Sequence, residues 1–212
     1  DWDLDLEFAP ITQDTTRIIM IRHGEVDNHD AGIFNGQMDV DITPRGEKHM
    51  ERAAEFLAEA GITRIYSSDL KRTVRGAQII SSRIGFNGSQ KAVPEIREIH
   101  LGEWQGLSGE EIDSLYPGMR EERYANIEHF RIPGGETLAE LSDRVVPAVT
   151  RIAMRHQGEA VAIVAHAGPN RVFLCQTLGL PLGRVYHIHQ DYGAINVINF
   201  SGNNSTVLMM NG

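Results

Sequence analysis

A single cysteine, Cys175, stands in the 212-residue chain, so no intrachain disulfide can staple it. Such cysteine usage is compatible with a reducing compartment, and a cytoplasmic protein is expected. Cys175 falls in an apolar helical stretch and reads as buried filler rather than as a nucleophile. No run of about 18 apolar residues occurs, so no membrane span is predicted. No secretory signal pattern opens the sequence as given. Its first residue is Asp1, which fits a chain that is processed, trimmed or cut from a longer protein. Positive charge is scarce: 20 Lys and Arg face 29 Asp and Glu, for a net charge of −9. That balance argues against nonspecific nucleic-acid binding. Any anion site must therefore be built locally from arginines. Nine histidines are present, yet no Asp-x-Asp or His/Asp cluster has metal-ligand spacing, so no metal and no cofactor are expected.

What is present is ordinary for a globular protein, with 41% hydrophobic and 23% charged residues. The length suits one domain, perhaps with an inserted cap. Ile18 to Ile21 form a short apolar run that reads as a buried, parallel strand. The run stops at Arg22, His23 and Gly24. In open α/β sheets, ligands bind at that C-terminal edge. Gly24 is expected to let the backbone turn and approach a ligand closely. The guanidinium of Arg22 can grip phosphate oxygens, and a neutral His23 nitrogen can attack phosphorus.

The same arrangement recurs along the chain. Ile62 to Ser67 reads as a second strand and Ala160 to Ala165 as a third, running into Ser67-Ser68 and His166. A helix is predicted from Thr43, as N-cap, with Pro44 in its first turn, to Gly61. Another runs from about Leu70 to Ile84, with Val74, Ala77, Gln78 and Ser81 near its inner face. Arg72 sits in its first turn, where a cation opposes the helix dipole and a bound anion would explain it. Ser108 with Glu111 and Thr137 with Glu140 are capping boxes. The helix after Thr137 should reach about His156, with Pro147 as a kink point. Residues 116–136 read as an irregular insert forming much of a pocket lid. Ala194 to Phe200 and Ser205 to Met210 read as a closing hairpin around Gly202 and Asn203. Residues 1–16 read as an N-terminal arm or linker, because Trp2, Leu4, Leu6 and Phe8 alternate with acidic residues. The main domain is placed at 17–212.

Strands of one parallel sheet end on one edge, so Arg22, His23, Arg72 and His166 can converge. With one carboxylic acid, Glu98 or Glu103, they make a kit for phosphoryl transfer without metal. The motifs are Arg22-His23-Gly24-Glu25, Leu70-Lys71-Arg72, Arg97-Glu98 with Gly102 and Trp104, Gly134-Gly135-Glu136-Thr137, and His166-Ala167-Gly168. In that order they resemble the histidine phosphatase superfamily, also called phosphoglycerate mutase-like, from about Arg17 to Phe200. The resemblance implies an α/β fold, a three-layer α/β/α sandwich on a mostly parallel central sheet. It implies that His23 is the nucleophile that becomes phosphohistidine. Arg22, Arg72 and His166 would surround the phosphoryl group, and Glu98 would be the acid. Glu103 is placed at the pocket rim beside Trp104. Asn28, His29, Gly36 and Ala167 are further substrate contacts by the same resemblance. Val26 and Ala167 depart from the family's usual residues, and His29 stands where an Asn is common.

The chemistry agrees with these roles. Fixed cations stabilise the equatorial oxygens of the transferring group. Glu98 would protonate the leaving alkoxide, then serve as base for water. The short stretch between Glu98 and His166 resembles the phosphatase branch rather than the mutases. Spacing from Arg22 to Gly46 is similar to that in α-ribazole phosphatases, and broad-specificity phosphatases look alike. The expected function is metal-independent hydrolysis of a small phosphomonoester. The alternatives are a cofactor-dependent phosphoglycerate mutase and a phosphate-binding regulatory domain of a fusion protein. No nucleic-acid or membrane partner is expected, while a homodimer or fusion to another enzyme domain is left open.

Overall fold

The computed structural model describes Phe8, residues 10–202 and residues 204–212. The predicted alternation over Trp2, Leu4 and Leu6 and the turn residue Asn203 lie outside these residues. Among them, no helix is long and apolar enough to cross a membrane.

Six strands form one sheet: β1 (Thr15–Arg22), β2 (Ile62–Ser67), β3 (Lys91–Ala92), β4 (Ala160–Ala165), β5 (Ile195–Ser201) and β6 (Asn204–Met209). Their order is β3-β2-β4-β1-β5-β6. The first four run parallel, while β5 pairs antiparallel with both β1 and β6. β1 starts at Thr15, so Thr15 and Thr16 belong to the sheet rather than to the segment before it. Phe8 packs its ring edge-on against Phe56, with centroids 6.2 Å apart.

Two helices, α1 (Pro44–Leu57) and α2 (Lys71–Arg83), cover one face of the sheet. The other face is covered by α5 (Leu138–Arg155) and α6 (Ala167–Leu178). Burial on both faces explains the unbroken apolar runs of β1 and β4. Ile19 and Ile21 enter the α1/α2 core, and Ile18 and Met20 enter the α5/α6 core. The chain thus has the expected α/β architecture in three layers.

Local signals set the helix ends. Thr43 accepts from Gly46 N at the start of α1. Ser108 and Glu111 make a reciprocal capping box for α3 (Gly109–Leu115), as do Thr137 and Glu140 for α5. Helix α5 continues through Pro147. The stretch 116–136 is not wholly irregular: it contains α4 (Met119–Ala125). Gly118, at φ +80°, stops the preceding turn and lets this short helix start afresh. On α2, Val74 is half-buried and Gln78 exposed. The inward residues are Arg72, Thr73, Gly76, Ala77, Ile80 and Ser81. The inner stripe is therefore rotated toward Arg72.

Gly24 differs from expectation. A Cβ there would stand 2.1 Å from the Gly46 carbonyl oxygen. Its smallness lets the end of β1 pack against the first turn of α1, not against a ligand.

Candidate active site

Arg22 ends β1 beside Ala165, the last residue of β4. Ser67 of β2 pairs with Val164 of the same strand. The polar residues after these strands therefore meet on one edge. A pocket of about 260 Å³ opens there, lined by Arg22, His23, Gly36, Arg72, Glu98 and Ala167 among others.

His23 is 6% exposed and shares a 2.7 Å hydrogen bond between Nδ1 and the carbonyl of its neighbour Gly24. A carbonyl only accepts, so Nδ1 carries the proton and Nε2 keeps its lone pair. Burial, with the charges of Arg72 and Arg22, pushes the pKa of His23 well below its ordinary value. The imidazole is thus held neutral.

His166 is fully buried behind the pocket surface, with its ring centroid 5.1 Å from that of His23. Its Nδ1 accepts from Arg72 Nε at 3.2 Å. Its Nε2 therefore holds the proton and donates to Ser68 Oγ at 2.8 Å. Ser68 lies 2.6 Å from Thr73 Oγ1, which donates to the Leu70 carbonyl. This chain ties the imidazole to the first turn of α2. Burial, then the charge of Arg72, lowers the pKa of His166 well below normal.

Arg72 is 2% exposed, which excludes a surface arginine. Its Nη1 and Nη2 donate to the Met38 and Gly36 carbonyls, each at 2.7 Å. Those bonds anchor the loop after β1 to α2. Arg22 donates through Nη1 to the Gln190 carbonyl at 2.6 Å and lies 3.9 Å over the Tyr192 ring. Its buried Nε has no partner among the described residues. Burial lowers the pKa of both guanidinium groups, yet arginine stays charged.

Glu98 reaches the pocket from the turn after the 3₁₀ segment Pro94–Ile96. Its carboxylate accepts from Ile99 N at 2.8 Å and from Gly168 N, in the first turn of α6, at 3.2 Å. Arg144 of α5 fixes the backbone beneath it, donating to the carbonyls of Glu95, Arg97 and Glu98 while paired with Glu136 at 2.6 Å. The Gly134-Gly135-Glu136-Thr137 motif thus supports the segment that carries Glu98.

Glu103 is exposed and accepts from Tyr116 Oη at 2.7 Å. It is not among the pocket-lining residues, so its expected place at the rim is corrected. Asn28 and His29 are not among them either. The Asn28 amide pairs with Asn35, and His29 packs edge-on against Tyr192. Asn35 takes the lining position instead.

Sequence reading missed Tyr192, Arg123, Arg171, Tyr124, Tyr186 and the supporting Arg144. None stands at the end of a parallel strand, the signal used to find the others. Among the described residues, no three His, Cys, Asp or Glu side chains group as a metal site.

The model for the histidine phosphatase superfamily (branch 1) matches residues 18–212. The chain belongs to this family. It is 36% identical over 157 residues to phosphoglycerate mutase-like protein 4 of Arabidopsis thaliana, covering 73% of this chain and 68% of that one. It is 32% identical over 200 residues to the metal-independent phosphoserine phosphatase of Arabidopsis thaliana, covering 93% and 80%. A mycobacterial glucosyl-3-phosphoglycerate phosphatase solved with VO3 superposes with a TM-score of 0.82 at 26% identity, covering 92% of this chain and 98% of that one. Membership and these relatives make the chain a phosphatase.

Proposed function

We propose that the protein hydrolyses a small phosphomonoester without metal, through a phosphohistidine on His23. The observation that carries this reading is the hydrogen bond from His23 to the Gly24 carbonyl, which leaves Nε2 free as nucleophile. In the first step Nε2 forms a bond to phosphorus as the ester oxygen leaves. The leaving oxygen takes a proton from Glu98. In the second step Glu98 removes a proton from water, which attacks phosphorus and frees His23. Arg22 and Arg72 face the charge that builds on the equatorial oxygens. His166, kept neutral and backed by Arg72, holds the other side of the cage. The pocket volume of about 260 Å³ suits a small metabolite. The relative named as a metal-independent phosphoserine phosphatase supports chemistry without metal.

The test is turnover of p-nitrophenyl phosphate, phosphoserine, 3-phosphoglycerate and α-ribazole phosphate in excess EDTA, with labelled phosphate on the protein followed in parallel. Release of inorganic phosphate and an acid-labile label, both lost in His23→Ala, are expected. Activity that EDTA abolishes and a divalent ion restores overturns the metal-free route. Isomerised phosphoglycerate in place of inorganic phosphate makes the protein a mutase. A stable label without release makes it a phosphate-binding module.

A further inference from the structure

The pocket contains more positive charge than one phosphoryl group can answer. Arg22, Arg72, Arg123 and Arg171 all line it, and Glu98 is its one lining carboxylate. Arg123, on α4, is 7% exposed. Among the described residues no hydrogen-bond acceptor or carboxylate pairs with it, and its guanidinium lies 6.0 Å from the Trp104 ring centroid. Neighbouring arginines differ. Arg120 pairs with Asp113, Arg131 with Glu140 and Arg144 with Glu136. Lining the pocket without such a partner among the described residues, the Arg123 guanidinium offers free donors to an anion that binds there.

Arg171, on α6, supports the same reading. Its Nε donates to the Ile188 carbonyl at 2.8 Å, which fixes the fork and leaves its terminal nitrogens for a ligand. The fork lies 5.5 Å from the Tyr186 ring centroid, and Tyr186 in turn lies 5.8 Å from Tyr124. Both tyrosines line the pocket and limit its width at this end.

We propose that Arg123 and Arg171 form a second anion site, so that the substrate is a phosphomonoester bearing another anionic group, a carboxylate or a second phosphate. Planar guanidinium forks suit either group. The proposal rests on the phosphatase reading for the phosphate end alone. Arg22 and Arg72 take the transferred group, and Arg123 with Arg171 selects which ester is presented.

The test uses two substrate pairs that differ by one anion. Phosphoserine is compared with phosphoethanolamine for the carboxylate. 1,3-Propanediol bisphosphate is compared with 3-hydroxypropyl phosphate for the phosphate. In the unaltered chain, kcat/KM should favour the anionic member of at least one pair. Arg123→Gln should lower that ratio by about 10- to 100-fold, the loss of a charge-assisted hydrogen bond. Arg123→Lys should recover part of it, and Arg171→Gln should lower it independently. The pair that responds identifies the group. Calorimetric affinity for the same compounds, measured on His23→Ala, reads the site without turnover. If no pair shows a preference, or if the arginine variants leave both the rate and affinity ratios unchanged, the second site is overturned. A failure to release phosphate from p-nitrophenyl phosphate, with the affinity ratios still dependent on Arg123, overturns the hydrolase reading instead.

Discussion

The amide nitrogen of Gly168 stands 3.2 Å from Glu98 Oε2, and a Cβ on Gly168 would fall 2.1 Å from Glu98 Oε1. The bare backbone at the start of α6 is therefore what lets the Glu98 carboxylate reach that helix's first turn. It joins two segments far apart in sequence, each half of the site depending on the other.

A methyl group at Gly168 should displace the carboxyl while leaving the helix intact, since the clash is with the far end of a flexible side chain. A general acid matters most for a poor leaving group and contributes about 10²–10⁴ in rate. Gly168→Ala and Glu98→Gln are both expected to slow phosphohistidine formation from an alkyl phosphate far more than from p-nitrophenyl phosphate. Glu103→Gln should show no such dependence, because its carboxylate is exposed and bonded to Tyr116. Single-turnover kinetics on both substrates checks this. Equal slowing of the two in Glu98→Gln would remove Glu98 as the acid.

Arg72 anchors the loop after β1 and, in the proposed function, stabilises the transferred group, so its replacement should show both effects. Loss of one preorganised charge stabiliser costs about 10²–10³ in rate. Arg72→Ala also strands the buried Gly36 carbonyl and the Nδ1 acceptor of His166. Each unsatisfied buried group costs on the order of 1–3 kcal/mol. If Arg72 served only an anion, its removal would barely affect folding; its bonds to the Met38 and Gly36 carbonyls predict otherwise. Denaturant midpoints should fall clearly for Arg72→Ala, while kcat falls in parallel. A variant with unchanged midpoint and less than tenfold loss of rate would return Arg72 to a peripheral role.

The two histidines should remain neutral well into acid. Folded His23 and His166 have pKa values far below the ordinary 6.5, chiefly through burial. In the unfolded chain they bind protons near pH 6.5. The folded state therefore binds fewer protons below that pH, so their contribution to stability is present above 6.5 and is lost as pH falls toward the folded values. Ligand-free protein at pH 6 should show neutral imidazole signals for both residues by NMR. Its unfolding free energy should decline from pH 7 to pH 5. Titration of either ring at or above 6.5 would contradict the geometry of the cage.

Some of this was legible in the chain before any coordinates. Runs such as Ile18–Ile21 and Ala160–Ala165 are apolar without alternation, and such strands lie covered on both faces of a parallel sheet. Their shared direction brings Arg22, His23 and His166 to one edge by topology alone. Capping residues Thr43, Ser108 and Thr137 mark helix starts because their side chains satisfy orphan N–H groups locally. These are short-range effects, so the sequence determines them directly. The tertiary structure decided the rest. Whether Glu98 or Glu103 faces the pocket depends on a loop held by Arg144 of α5. Whether Arg72 is buried depends on carbonyls of the loop after β1. Tyr192, Arg123 and Arg171 reach the pocket from segments with no periodic signal in common. Long-range packing sets their positions, and no local pattern in the chain encodes which distant backbone a side chain will meet.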